Sequence, residues 1–306
     1  MTKISVRAVR AVELGVSDLT RAARFFTEVW RLTPDAAAGP DEAIDLSGTA
    51  AFHYILRLKR ARETGVIRIV LDAADRATVD ALHAQVRATG APVDSAPRAL
   101  SGNGGGYGFG CQDPEGRGYA VVCDVRDHAD TADAPDRPRK ISHVNLNCAD
   151  NEATFSFLRD GLGFHLADET KQHRFLNCNS DHHSLVIGFN DAATLNHIAF
   201  EMPDLDSVMR GVGRMRDHGY PVEWGPGRHG PGNNVFAYFC GPEELPLEYT
   251  AEMQQVTAEH RPRPRETWGW PPGRVDHWGL TPGPSARMKR AQSLFRCAKD
   301  GWRLDP

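Results

Sequence analysis

Residues 12–32, VELGVSDLTRAARFFTEVWRL, decide the fold because the same pattern returns at residues 144–164 as VNLNCADNEATFSFLRDGLGF. Both stretches are typical of an apolar strand followed by an amphipathic helix, and they lie 132 positions apart. A match over 21 residues indicates an internal repeat, which constrains the fold more strongly than any single element does.

Two further matches extend the repeat along each half. Residues 66–72 (VIRIVLD) resemble residues 195–201 (LNHIAFE) at a displacement of 129 positions, and both begin another strand and helix. Residues 113–121 (DPEGRGYAV) resemble residues 241–249 (GPEELPLEY), a turn entering a last strand, at a displacement of 128. The chain is therefore predicted to contain four similar modules, two in each half.

Helix boundaries support the four modules. Each predicted helix is preceded by an aspartate whose carboxylate can accept the free N–H groups of the first turn, namely Asp18, Asp75, Asp150 and Asp204. Glycines stand where helix C-terminal caps are expected, at Gly90, Gly161 and Gly219. Short alternating segments supply the other strands.

The repeat predicts a division of the chain. Residues 1–125 form a first domain, residues 126–140 a linker without apolar periodicity, and residues 141–251 a second domain. Residues 252–306 form a proline- and tryptophan-rich tail with a predicted helix at 285–299, and we expect this tail to close over a site.

Composition excludes several classes of function. The 306 residues include 41% hydrophobic and 25% charged residues, as in an ordinary globular protein. A net charge of −4 provides no basic field for nucleic acid or an anionic membrane surface, and no apolar run is long enough to span a bilayer. We expect a cytoplasmic protein with six reduced cysteines and a homo-oligomeric assembly.

Three potential metal ligands occur in the second half only. His143, His197 and Glu248 fall on separate strands, and the corresponding positions of the first half are Ala11, Arg68 and Ala120. Two imidazoles and one carboxylate can form the facial triad of non-haem Fe(II) oxygenases, which leaves coordination positions open. The alternative is that each histidine is a core residue with satisfied hydrogen bonds.

The spacing of these residues resembles the type I extradiol catechol dioxygenases of the vicinal oxygen chelate superfamily. The resemblance spans residues 1–250 and is sharpest over residues 141–250. Its most specific segment is GPGRHG at residues 225–230, with Tyr238 nine residues after His229 and Glu248 ten residues later. The resemblance implies an α+β fold, in which four βαβββ modules form two paired domains. Each domain is then a curved, open, barrel-like mixed sheet with helices outside.

Further site residues carry over from the resemblance. His183 matches the family's acid/base histidine, which moves a proton during the reaction, and His182 is its competitor for that role. We expect His183 because it directly precedes the Ser-Leu-Val strand, and we assign His53 as its counterpart in the first half. His182 is kept as a candidate for substrate binding.

His229 and Tyr238 match residues that hydrogen-bond the substrate and oxygen in the family. Asn145, two residues beyond His143, is predicted to line the pocket on the same strand face. Taken alone, His229 could equally be a solvated loop residue and Tyr238 a strand aromatic whose hydroxyl is satisfied.

The resemblance implies an enzyme that uses Fe(II) and O2 to open a catechol ring next to its hydroxyls. Mn(II) is an alternative metal because it accepts the same ligands. A metal-dependent enzyme of the glyoxalase kind on the same fold and a non-catalytic module that binds aromatic compounds are rival hypotheses. The sequence leaves open which catechol is used and what the tail does.

Overall fold

The computed structural model describes residues 4–35 and 43–304. Strands of the first half are β1 (Ala8–Val16), β2 (Thr33–Pro34), β3 (Ala43–Ser47), β4 (Leu56–Arg60), β5 (Gly65–Asp72), β6 (Arg98–Ala99), β7 (Tyr107–Gln112) and β8 (Gly118–Cys123). Strands of the second half are β9 (Lys140–Cys148), β10 (His165–Glu169), β11 (His173–Asn177), β12 (Leu185–Phe189), β13 (Leu195–Glu201), β14 (Trp224–Arg228), β15 (Val235–Cys240) and β16 (Pro246–Ala251). The α-helices are α1 (Leu19–Arg24), α2 (Arg76–Ala88), α3 (Asn151–Ser156), α4 (Leu205–Asp217) and α5 (Ala286–Leu294).

Each half forms one mixed sheet of eight strands. The strand orders are β2-β3-β4-β1-β5-β8-β7-β6 and β10-β11-β12-β9-β13-β16-β15-β14, so the second sheet repeats the first. Within each half, two βαβββ modules join through an antiparallel pair, β1 with β5 and β9 with β13. The sheets are open rather than closed barrels. The predicted α+β fold of four modules is confirmed.

Most of the observed helix caps agree with those predicted from the sequence. The carboxylates of the four predicted aspartates accept the backbone N–H three residues on, at Arg21, Thr78, Ala153 and Ser207. Gly90 and Gly219 adopt the predicted left-handed conformation, with φ of 80° and 82°. The prediction for Gly161 was wrong, because a π-helical turn (Phe157–Gly161) continues α3 and the left-handed residue is Gly163.

The two halves share one hydrophobic core. Trp30, which follows α1 in the first half, is fully buried and stacks on Tyr249 of β16, with ring centroids 3.8 Å apart. Its ring also meets Phe200 and Phe239 edge-on. Aromatic rings bury large areas in such contacts. The first half therefore supports the back of the sheet that carries the candidate site.

The tail is integrated into both halves. Helix α5 begins at its cap Ser285 and ends at Leu294, earlier than predicted, because the chain then forms β-bridges from Arg296 to Thr194 and from Cys297 to Val66. Phe295 and Trp302 are buried. Among the described residues, none of the helices has the length and apolar character needed to cross a bilayer.

We predict that Trp30→Ala lowers the free energy of unfolding by about 3–5 kcal/mol, the usual cost of removing a buried indole. Urea unfolding followed by circular dichroism measures the change, and Trp30→Phe, which keeps an aromatic ring, is the milder control. A loss below about 1 kcal/mol for Trp30→Ala would contradict the role of this contact between the halves.

Candidate metal centre

Strand register brings the three predicted ligands together. His143 lies on β9, His197 on β13 and Glu248 on β16, which are adjacent strands in the sheet. Ala199 of β13 pairs with His143 on one side and with Glu248 on the other. His197 is two residues before Ala199 and shares its face, because side chains alternate along a strand.

The first half has the same register with other side chains. Val70 pairs with Ala11 and with Ala120, as Ala199 pairs with the two ligands. This pairing reproduces the displacements of 132, 129 and 128 positions that align the two halves. The three predicted ligands and their counterparts in the first half therefore occupy equivalent positions in the two sheets.

The donor atoms of the three residues converge. Glu248 Oε2 lies 3.0 Å from His197 Nε2 and 3.3 Å from His143 Nε2, and the two Nε2 atoms are 3.1 Å apart. All three side chains are buried. Although these distances are short, Oε2 makes no well-aligned hydrogen bond. Two imidazole nitrogens and an unbonded buried carboxylate oxygen fit a divalent transition metal of the facial-triad type.

A chain of hydrogen bonds that starts at Nδ1 holds the ring of His197 in place. Its Nδ1–H donates to Asn196 Oδ1 at 2.8 Å, which leaves Nε2 with its lone pair toward the other ligands. The Asn196 amide donates to Asn147 Oδ1 at 3.1 Å, and the Asn147 amide donates to the backbone carbonyl of Gln292 in α5 at 2.6 Å. Sequence reasoning missed this chain, although Asn196 adjoins a predicted ligand.

Electrostatics favour an ionised carboxylate at this centre. Burial alone would raise the pKa of Glu248, but His143 and His197 beside it lower the pKa below its usual range. Burial lowers the pKa of His197, which Glu248 partly offsets. A negatively charged oxygen beside a neutral imidazole is the state in which these groups ligate a cation.

Four of the other predicted site residues line one cavity of about 500 Å³ that reaches His143 and His197. The ring of His183 lies 4.4 Å from that of His143, centroid to centroid. His229 Nε2 is 3.0 Å from the Tyr238 hydroxyl, and Tyr238 pairs in register with Glu248. His183, His229, Tyr238 and Asn145 all line the cavity.

These side chains are uncharged near neutral pH. Burial, with His143 adding to it, lowers the pKa of His183 well below its usual range. Burial also lowers the pKa of His229 to about 4, although Glu248 opposes the shift. Burial, reinforced by Glu248, raises the pKa of Tyr238 well above its usual range. The cavity therefore offers neutral donors and acceptors beside a carboxylate.

The structure changes the expectations for His182 and His53. His182 is fully buried behind His183. It is not among the described residues that line the cavity. The assignment of His53 as the counterpart of His183 was wrong. Because Leu56 and Leu185 occupy equivalent register positions, His53 corresponds to His182 and Tyr54 corresponds to His183. Asn145 does face the cavity, and its Oδ1 is buried without a hydrogen bond.

Aromatic side chains form the outer wall of the cavity. Trp224 stacks on Tyr238 with ring centroids 4.9 Å apart. Trp268 and Trp270 of the tail also line the cavity, together with Gln292 of α5. Residues of the tail thus line the cavity, and the role of the tail as a lid stays a prediction.

In the first half an ion pair occupies the region that corresponds to the predicted metal ligands. Arg68, equivalent to His197, donates from Nε to Glu13 Oε2 at 2.7 Å, and both side chains are buried. Burial would raise the pKa of Glu13, but Arg68 and Arg57 lower it. Arg68 also donates to the backbone carbonyls of Trp302 and Arg303. A guanidinium fills the position where the second half holds a ligand.

Comparison with known proteins gives the family. The model of the glyoxalase/bleomycin resistance protein/dioxygenase superfamily matches residues 140–249. A Mn(II)-bound glyoxalase from Novosphingobium aromaticivorans is 34% identical in sequence, with a TM-score of 0.85 over 93% of this chain and 94% of that one. This chain belongs to the glyoxalase/bleomycin resistance protein/dioxygenase superfamily.

Three further proteins resemble this chain at lower sequence identity. Metapyrocatechase 2 of Cupriavidus necator is 33% identical over 124 residues, which is 40% of this chain and 39% of that protein. BphC, a halotolerant catechol dioxygenase, has a TM-score of 0.74 at 20% identity, over 85% of this chain and 91% of that one. Homoprotocatechuate 2,3-dioxygenase from Arthrobacter globiformis has a TM-score of 0.76 at 19% identity, over 85% and 84%. The last two share the fold with this chain.

We predict that His197→Ala abolishes stoichiometric binding of Fe(II), because it removes one of three ligands. Asn196→Ala, which removes only the support of that ligand, should weaken binding by about 10- to 100-fold. Anaerobic titration calorimetry measures both, and His218→Ala, which changes an exposed histidine after α4 and leaves the triad intact, is the control. Stoichiometric, unweakened binding by His197→Ala would contradict the assignment.

We predict that Arg68→Ala destabilises the protein by about 3–5 kcal/mol, because it leaves Glu13 buried and charged without its main partner. Adding Glu13→Gln to Arg68→Ala should recover part of the loss, since the uncompensated charge is then removed. Urea unfolding of the two variants and the parent measures the difference. If the double variant is less stable than Arg68→Ala, burial of an unpaired charge is not the cause.

Proposed function

We propose that this protein is an extradiol dioxygenase, which uses Fe(II) and O2 to cleave a catechol-type ring next to its two hydroxyls. Mn(II) is the alternative metal. One observation carries the proposal: the donor atoms of His143, His197 and Glu248 converge beside a cavity that is also lined by a buried histidine and a histidine–tyrosine pair. The partial match to metapyrocatechase 2 supports the same chemistry.

The protein's own groups have distinct tasks in this proposal. His183 accepts a proton from a substrate hydroxyl, and its neutral imidazole suits that task. The Tyr238 hydroxyl and His229 Nε2 lie 3.0 Å apart, so one of them donates a hydrogen bond to the other, and the pair can donate a hydrogen bond to an oxygen of the substrate. Asn145 offers an amide on the same side as His197, with which it pairs in register.

Bound at this triad, Fe(II) supplies the redox chemistry toward O2 and favours ionisation of a catechol hydroxyl. The overall reaction balances without a further reductant, because both atoms of O2 enter the ring-opened product. The surrounding aromatic wall of Trp224, Trp268 and Trp270 excludes water from the ring. A volume of about 500 Å³ leaves room for a substituent on the catechol.

The decisive experiment adds Fe(II) anaerobically, then a series of catechols, and finally air. We expect a yellow ring-opened product with consumption of one O2 per catechol, and incorporation of two labelled atoms from 18O2. His197→Ala should give no product. Tight binding of a catechol with neither colour nor oxygen uptake would instead favour a non-catalytic binding module.

We predict that His183→Ala retains Fe(II) but lowers kcat by about 10²- to 10⁴-fold, the usual contribution of a general base. Metal analysis of the purified variant, followed by oxygen uptake, separates binding of the metal from turnover. His218→Ala, which changes an exposed histidine outside the cavity, serves as the control. Normal turnover by His183→Ala would remove it from the mechanism.

A second candidate function comes from the relative of 34% identity, which is described as a Mn(II)-bound glyoxalase. A glyoxalase-like activity would use the same triad but would consume no O2. Incubation of the Mn(II)- and Fe(II)-loaded protein with methylglyoxal and a thiol tests it directly. Turnover there, together with no oxygen uptake on any catechol, would replace the proposal above.

A further inference from the structure

A buried polar cluster lies behind His183, on the side away from the cavity. His182 Nδ1 is 3.0 Å from His183 Nδ1, and His182 Nε2 is 2.8 Å from Asp168 Oδ2. His182 and Asp168 are fully buried. The three residues thus form a continuous hydrogen-bonded chain that ends at a cavity-lining imidazole.

The cluster does not have the character of a second metal site. Asp168, His182 and His260 are close enough to hold an ion. However, Arg263 already provides a positive charge, since its guanidinium donates to Asp168 Oδ2 at 2.6 and 3.0 Å and its backbone N–H donates to Oδ1 at 2.7 Å. His260 Nε2 is 4.0 Å from Asp168 and bonds the carbonyl of Ala167 instead.

The direction of each hydrogen bond follows from the ionised carboxylate. Burial would raise the pKa of Asp168, but hydrogen bonds from His182 and Arg263 lower it, so Asp168 only accepts. His182 Nε2 therefore donates. Burial lowers the pKa of His182, which Asp168 opposes and Arg263 reinforces, so the ring carries one proton and its Nδ1 accepts. His183 Nδ1 must then be the donor.

We propose that Asp168 and His182 are positioning residues that hold His183 in the tautomer with Nδ1 protonated, which leaves Nε2 as the free acceptor for a substrate proton. This role rests on the proposed function. During turnover the substrate O–H bond breaks and an N–H bond forms at His183 Nε2. The positive charge that results lies next to the chain that ends in the Asp168 carboxylate.

The first half contains the same aspartate–histidine pair without the third member. His53 Nε2 is 2.9 Å from Asp35 Oδ2, and strand register makes these residues equivalent to His182 and Asp168. The position of His183 is taken there by Tyr54, whose hydroxyl is directed toward Glu13. The pair is thus common to both halves, and only the second half connects it to a histidine in a cavity.

Nitrogen-15 NMR of the full chain loaded with diamagnetic Zn(II) tests the tautomer without turnover, because His and carboxylate ligands accept Zn(II). We expect His183 with Nδ1 protonated and Nε2 unprotonated. In His182→Phe the fraction with protonated Nε2 should rise, whereas the matched variant His53→Phe should leave His183 unchanged. A protonated His183 Nε2 in the parent protein overturns the proposal.

Kinetics test whether the tautomer matters. We expect His182→Phe to lower kcat for catechol by about 10- to 1000-fold with KM changed less than about threefold. For 4-nitrocatechol, whose more acidic hydroxyl needs less help, the fall should be much smaller. An equal fall for both substrates, or the same fall in His53→Phe, overturns the proposal because a structural role would produce it.

Asp168→Asn keeps the shape of the side chain and provides a second variant if His182→Phe does not fold. It removes the charge that requires a donor at His182 Nε2, so His183 should lose its single tautomer, whereas Asp35→Asn should not affect it. A single unchanged tautomer in Asp168→Asn overturns the proposal. If the parent cleaves no diol, the proposed function fails, and the NMR result still decides the tautomer.

Discussion

A carboxylate buried without water needs a positive partner, and the two halves of this protein meet that need in different ways. In the first half one such carboxylate is Glu13, which the Arg68 guanidinium neutralises at 2.7 Å. In the second half one such carboxylate is Glu248, which is fully buried beside His143 and His197 and has an oxygen that makes no well-aligned hydrogen bond. An arginine completes the first arrangement within the protein, whereas a bound cation would complete the second. The same sheet architecture thus holds an internal ion pair in the first half and a candidate reaction centre in the second half.

The geometry of the centre comes from strand pairing rather than from loops. Ala199 is in register with both His143 and Glu248, so three neighbouring strands set the positions of the predicted ligands. The contact of Trp30 with Tyr249 then holds the back of the same sheet against the first half. Ligands on paired strands are held more rigidly than ligands on loops, which suits a site that must keep coordination positions open.

The repeat explains which features could be predicted from the sequence. Four modules, the helix caps and the three converging ligands all depend on local patterns and on displacements that can be measured along the chain. The pairing of His53 with His183 was wrong because a displacement of 129 rather than 130 positions separates equivalent residues there, and one residue decides which side chain faces the cavity. Gly161 was misassigned because a π-helical turn shifts the cap by two residues. The contacts of Asn196, Asp168 and the tail join residues distant in sequence, which no periodicity reveals.

The tail shows why the first half matters to the candidate site although it holds no ligand. Arg68 binds the carbonyls of Trp302 and Arg303, which attaches the end of the described chain to the first sheet. Between this attachment and β16, the tail contributes Trp268 and Trp270 to the cavity, and Gln292 to the hydrogen-bond chain behind His197. The Arg68 guanidinium, at the position equivalent to His197, therefore also anchors the segment that contributes Trp268 and Trp270 to the cavity.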